Sequence, residues 1–261
     1  MEIRDTGDGP AIVMLSGWGQ TRRAFDRLIE KLEDRFRLIT FDMPGYGTAR
    51  DDPGPYTLDR YCEVISDVIG QARLSRFHLL GWSMGGEIAA KYIKDKRGPL
   101  PESLILLSSP ARFVSVDKDI LMGAHPARAK KMEMMIRRDH KAGLRDFICR
   151  FFESGEEISP EEKVEIEKLL IPPGFPPRKE ALLTNLTELI ELDLTETPIE
   201  YDRPVLLISG GLDRITPIKG QRLWKRVFAN VEEACIETAG HAPHLTCATR
   251  VGELVTRFME K

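Results

Sequence analysis

The residues best suited by type and spacing to do chemistry are Ser83, Asp213 and His241. A serine hydroxyl is a weak nucleophile until a base takes its proton, and the base needs an acid to orient it. Ser83 lies in Gly81-Trp82-Ser83-Met84-Gly85, a G-x-S-x-G pattern between a strand-like run and a helix-like run. That context suits a sharp strand-to-helix turn that lifts the serine above a sheet edge. The first N–H groups of the following helix then face negative charge developing on a substrate. His241 sits in Ala239-Gly240-His241-Ala242-Pro243, past the last strand-like run and before the final helix. His244 competes as base, but lies nearer the start of that helix. Asp213 is the acidic residue of the turn Gly210-Gly211-Leu212-Asp213-Arg214, and its alternative use is to cap the helix starting near Pro217.

An oxyanion formed at Ser83 needs two aimed donors. One is the N–H of Met84, directly after the serine. The other is the N–H of Trp18 in Ser16-Gly17-Trp18-Gly19, where the two glycines let the backbone approach closely. An ordinary tight turn also accounts for those glycines, and the Trp18 ring is expected to line the entrance. Asp42, in Phe41-Asp42-Met43-Pro44-Gly45-Tyr46-Gly47, is expected to accept backbone N–H groups in its turn and take no part in chemistry.

The elements that must position these groups follow a βαβ rhythm. Short apolar runs at 11–15, 36–41, 77–80, 103–107, 204–209 and 233–237 read as strands of a mostly parallel sheet. Amphipathic stretches at 22–32, 58–69, 85–94, 217–228 and from about 246 read as flanking helices, whereas 1–9 is polar and turn-like. Between 111 and 200 no core strand is evident, only helical periodicity broken by Ile171-Pro172-Pro173-Gly174-Phe175-Pro176-Pro177. The expected organisation is a core of 1–110 and 201–261 with a helical lid at 111–200 over the strand ends. A separate helical domain with its own partner is the alternative.

The whole chain has 261 residues and a formal net charge of −3, so no global field favours nucleic acid. No apolar run approaches a membrane span, no secretory signal is visible, and the four cysteines form no CxxC pair. The expectations are a cytoplasmic protein with free thiols, no metal and no cofactor, no membrane or nucleic-acid partner, and a monomeric state. Charge is split within the proposed lid. Residues 111–150 hold ten Lys/Arg against five Asp/Glu, and 151–200 hold four against thirteen. A basic face beside a pocket can steer an acidic substrate or carrier, and on charge alone Arg137 and Arg138 belong to it. It also reads as an ordinary solvated helix face. Met132, Met134, Met135, Ile136, Phe147, Ile148, Phe151 and Phe152 either line an acyl-chain tunnel or form ordinary helix core.

These motifs, with Ser108-Ser109-Pro110 and Arg150-Phe151, resemble the pimeloyl-[acyl-carrier protein] methyl ester esterases of biotin synthesis (BioH-type) in the α/β-hydrolase superfamily. The resemblance implies the α/β-hydrolase fold and hydrolysis of a methyl ester on a pimeloyl chain attached to acyl carrier protein. It implies Ser83 as nucleophile, His241 as base, Asp213 as orienting acid, and Trp18 and Met84 as oxyanion donors. It further implies that Arg150 contacts the acidic carrier and Phe151 the acyl chain. Arg145 lies one position from another basic site of the family. The chain departs from the family at Ser16, where a histidine is usual, and in most of its lid. Two other functions fit the motifs: a general carboxylesterase for short-chain free esters, and a non-catalytic binding module of the same fold.

Overall fold

The structure, a computed structural model, describes residues 2–115, 122–152, 155–156, 158–174 and 176–261. Asp117, Lys118 and Asp119 of the charged stretch, together with Phe175, lie outside the described residues.

Seven strands form one sheet: β1 (Ile3–Thr6), β2 (Ala11–Leu15), β3 (Arg37–Phe41), β4 (His78–Trp82), β5 (Leu104–Leu107), β6 (Val205–Gly210) and β7 (Val231–Ile236). Their order is β1-β3-β2-β4-β5-β6-β7. Only β1 runs antiparallel to its neighbour; the other pairs are parallel. Central strands covered on both faces need continuous apolar sequence, not alternation. β2, β5 and β6 meet this demand with every residue buried.

The helices are α1 (Asp26–Leu32), α2 (Leu58–Gln71), α3 (Met84–Lys94), α4 (Pro126–Arg138), α5 (His140–Cys149), α6 (Pro160–Leu170), α7 (Lys179–Glu191), α8 (Ile218–Gln221), α9 (Trp224–Val227), α10 (Pro243–Thr246) and α11 (Ala248–Met259). α1 packs against α11, and α2 against α3. Local sequence sets several starts. Thr57 accepts from the Arg60 N–H at α2, Asp139 from the Lys141 and Ala142 N–H groups at α5, and Ser159 from the Glu162 N–H at α6.

Helices α4 to α7 all fall between β5 and β6. Their segment is closed near its two ends: Leu194 N–H donates to the Ala111 carbonyl, and Arg112 pairs with Asp193 at 2.8 Å. α4 packs on both α5 and α7. No helix among the described residues is long and apolar enough to cross a membrane.

Several boundaries differ from the sequence reading, most of all at the sheet edges and in the last helices. The polar segment 1–9 contains β1, because an edge strand needs pairing on one side only. Ile3 lies opposite Phe41, and Asp5 is held by Arg37 at 2.6 Å. β7 starts two residues earlier than expected, at Val231, since a half-exposed edge strand tolerates Glu232 and Glu233. The 217–228 helix is two short helices, weakened by Gly220 in the first. The last helix begins at Ala248, after the separate turn α10, because Cys247 (φ −130°, ψ 39°) leaves the helical region.

Candidate active site

Ser83 occupies the tip of the β4–α3 turn with φ 54° and ψ −123°, a region that L side chains rarely adopt. The turn is tight enough to exclude side chains at its base. A Cβ on Gly81 would lie 2.4 Å from the Gly85 carbonyl, and one on Gly85 2.1 Å from the Leu15 carbonyl. The G-x-S-x-G pattern therefore reflects backbone crowding on both sides of Ser83.

The residues singled out beside Ser83 converge on it from two further loops. His241 Nε2 lies 3.1 Å from Ser83 Oγ, and His241 Nδ1 lies 2.9 Å from Asp213 Oδ2. With Asp213 ionised, Nδ1 carries the proton and Nε2 is left as an acceptor facing the serine. His241 and Asp213 are buried, whereas Ser83 is partly exposed. The imidazole is held from behind: Trp82 Nε1 donates to the His241 carbonyl at 2.9 Å, and the Phe151 ring lies 5.0 Å from the imidazole.

Asp213 is saturated with donors. Its Oδ1 accepts the N–H groups of Ile215 and Thr216, each at 2.9 Å. Its Oδ2 sits 2.7 Å from Thr216 Oγ1 and 3.3 Å from Gln221 Nε2. Gln221 is fixed in turn by Ser209 Oγ at 2.8 Å. The turn after β2 passes directly over the serine, since a Cβ on Gly17 would be 3.3 Å from Ser83 Cβ. Ser16 closes that turn by donating to the Gln20 carbonyl at 3.2 Å. The Trp18 indole is buried, not at an open mouth. Its Nε1 donates to the Leu182 carbonyl of α7 at 3.0 Å, and Phe147 meets its ring edge-on at 5.2 Å.

A family model for the alpha/beta hydrolase family matches residues 12–254 of the chain. The chain belongs to the alpha/beta hydrolase family. It is 30% identical over 268 residues to the pimeloyl-[acyl-carrier protein] methyl ester esterase of Xanthomonas axonopodis pv. citri, covering 99% of this chain and 98% of that protein. The protein of the same name from Nitrosomonas europaea is also 30% identical, with 94% of each chain covered. An esterase from Exiguobacterium antarcticum shares the fold with a TM-score of 0.88 at 22% identity, covering 99% of this chain and 95% of its own. The family match taken together with these esterase relatives makes this chain a carboxylic ester hydrolase.

In this hydrolase the residues singled out between β5 and β6 fall into buried and exposed sets. Phe151 is buried, 5.7 Å from Trp82 and 5.2 Å from Phe147. Arg137, Arg138, Arg145 and Arg150 are all exposed. Arg137 binds Glu133 at 2.7 Å and Arg150 binds Asp146 at 2.9 Å. Of the apolar residues expected to face inward, Ile136, Phe147 and Ile148 are buried, but Met134 is 62% exposed. Met132, Met135, Phe147 and Ile215 line a cavity of about 420 Å³ with Arg128 and Arg214 among its other walls. Among the described residues, no group of three or more His, Cys, Asp or Glu side chains is placed to hold a metal.

His244 is not part of the contact chain. Neither ring nitrogen has a partner, and the ring packs 4.4 Å from Trp82 and 5.4 Å from Phe25. Burial, with a smaller contribution from His241, pushes its pKa down from 6.5 to about 3. As pH falls through 6.5 the unfolded chain takes up a proton here, while the folded chain stays neutral until about pH 3. The unfolded state binds more protons across that window, so stability declines as pH falls. His244→Phe is expected to flatten the decline, read as urea midpoints across the same window.

Asp42 has the structural role expected of it, accepting the N–H groups of Arg22 at 2.7 Å and Thr48 at 2.8 Å. Three buried polar residues near the candidate site were not anticipated. Thr216 follows Asp213 by three residues, a spacing typical of a carboxylate folding back on its own turn, and so had a local signal. Gln221 had none. Glu87, one turn into α3, is buried with Oε1 unpartnered, and desolvation drives its pKa well above the usual carboxylate value.

Proposed function

We propose that this hydrolase is a serine carboxylesterase that removes the methyl ester from pimeloyl-[acyl-carrier protein], giving the free distal acid and methanol for biotin synthesis. The observation that carries the reading is the unbroken Ser83–His241–Asp213 chain of contacts, 3.1 and 2.9 Å long. Ser83 Oγ attacks the ester carbonyl carbon while His241 Nε2 takes the serine proton. The tetrahedral oxyanion is received by the N–H groups of Met84 and Trp18. His241 then passes the proton to the departing methoxide, which leaves as methanol. A water activated by His241 attacks the acyl-enzyme, and the acid is released as the proton returns to Ser83. Asp213 keeps the imidazole in the required tautomer throughout.

In the same reading, residues 111–200 are a lid on a core made of 1–110 and 201–261. Phe151, which stands over both Trp82 and His241, borders the reacting end of the acyl chain. Arg137, Arg138, Arg145 and Arg150 meet the acidic carrier, in the expected cytoplasmic setting. The relatives named for this activity support the substrate. The test is incubation of wild type and Ser83→Ala with pimeloyl-carrier-protein methyl ester, followed by mass spectrometry of the carrier. Loss of the methyl group is expected with wild type alone. An intact ester after wild-type treatment, with short free esters cleaved efficiently, would replace the biotin role by general esterase activity.

Charge reversal separates carrier from substrate. Arg138→Glu combined with Arg145→Glu is expected to raise KM for the carrier-bound ester about tenfold or more at low salt. Hydrolysis of a free methyl ester, measured in parallel, should be unchanged because neither side chain approaches Ser83.

A further inference from the structure

The loop that carries His241 is held by a carboxylate from the helical insertion. Glu156 Oε1 accepts the Gly240 N–H at 2.6 Å and lies 2.8 Å from Thr246 Oγ1. Gly240 is the residue immediately before His241, and Thr246 ends the short helix that follows it. One oxygen of Glu156 therefore clasps both ends of the stretch bearing the base. On the other side, Gly240 is pressed against β6, where a Cβ on Gly210 would meet its carbonyl at 2.0 Å. The His241 carbonyl itself is taken by Trp82.

We infer that Glu156 is a positioning residue, through which the insertion fixes His241 at the distance from Ser83 that proton transfer requires. It touches neither substrate nor the reacting atoms. It acts on the main chain one residue away from the base, so insertion placement and base alignment are a single variable. A displaced clasp leaves Gly240 N–H without a partner in a buried loop and lets the imidazole drift, and misplacement on the order of 1 Å is enough to slow a reaction about a hundredfold. The clasp needs an sp² oxygen, not a charge. Oε2 is buried without any partner, and burial raises the Glu156 carboxyl pKa above its ordinary value. Oε1 accepts both bonds in either protonation state, so glutamine can take its place.

The inference rests on the serine chemistry proposed above, and its experiment includes a readout that needs no turnover. Glu156→Ala is expected to lower kcat on a small p-nitrophenyl ester about ten- to hundredfold, with KM within about twofold of wild type. The downfield proton resonance of the His241 Nδ1–H should shift or broaden in the same variant. Glu156→Gln is expected to restore both kcat and the resonance, and Thr246→Val, which removes one of the two bonds, should fall between. Wild-type kcat in Glu156→Ala, a loss confined to KM, or a folded Glu156→Gln as impaired as the alanine variant would each overturn the inference. If Glu156→Ala does not fold, Thr246→Val carries the test alone, and wild-type kcat with an unmoved resonance overturns it. Absence of hydrolysis by wild type would strike the serine chemistry, while the resonance still reports on the clasp.

Discussion

Ser83→Ala is expected to lower kcat for ester hydrolysis by about 10⁴- to 10⁶-fold, with the protein still folded and still binding substrate. The size follows from the arrangement of the three groups. His241 Nε2 faces Ser83 Oγ at 3.1 Å, and without the hydroxyl that nitrogen has no partner to activate by the proposed acyl-enzyme route. In the proposed mechanism, what would remain is the pull of the Trp18 and Met84 N–H groups on a carbonyl approached by unassisted water. Alanine also preserves the backbone requirement, since it inherits the positive φ that Ser83 already adopts. Single-turnover assays with the carrier-bound methyl ester, with a fluorophosphonate probe to confirm loss of the reactive hydroxyl, measure the effect. Residual activity within about tenfold of wild type would mean that another group is the nucleophile.

Asp213→Asn is expected to lower kcat by about 10⁴-fold while barely moving KM. The reason lies in which oxygen has which donors. Oδ1 accepts two main-chain N–H groups, from Ile215 and Thr216, and a side-chain amide at this site must keep its oxygen there. Its NH₂ is then forced into the Oδ2 position, toward His241 Nδ1. An N–H donor at that point demands a lone pair on Nδ1, which moves the imidazole proton to Nε2 and points it at Ser83. The base is thereby presented in the tautomer that cannot accept. Gln221 Nε2 keeps its bond to the Thr216 carbonyl at 2.6 Å but loses its longer one to Oδ2, at 3.3 Å. Steady-state kinetics with a circular dichroism control for folding would show this. Near-wild-type kcat in Asp213→Asn would reduce Asp213 to a structural role in its turn.

Much of the fold was legible because parallel central strands must be apolar throughout, and β2, β5 and β6 are. What escaped lay at the sheet edges, where one neighbour suffices. Ile3–Thr6 reads as a polar leader, yet its pairing with β3 makes it a strand. Val231-Glu232-Glu233 looks too charged for a strand start, but β7 lies at the other edge of the sheet. The candidate site was readable where local geometry constrains residue type, as at Gly81 and Gly85 around Ser83 and in the turn of Asp213. It was unreadable where a contact joins distant parts of the chain. Gln221 and Glu156 reach the candidate site across 8 and 84 residues respectively, and nothing in their neighbours announces it. The segment between β5 and β6 resisted reading for another reason: Met134 and Ile136 carry equal apolar signals, and only the packing of α4 on α5 and α7 decides that one faces out and the other in.

The positive φ of Ser83 sets natural selection for robustness against selection for turnover at one codon. Backbone strain of this kind is worth on the order of 1–3 kcal/mol, and glycine alone relieves it without disturbing the turn. A lineage selected only to stay folded would drift toward glycine at position 83 and fall silent as a catalyst. On the serine mechanism proposed above, the strained backbone at Ser83 is a cost in stability accepted for the hydroxyl it presents.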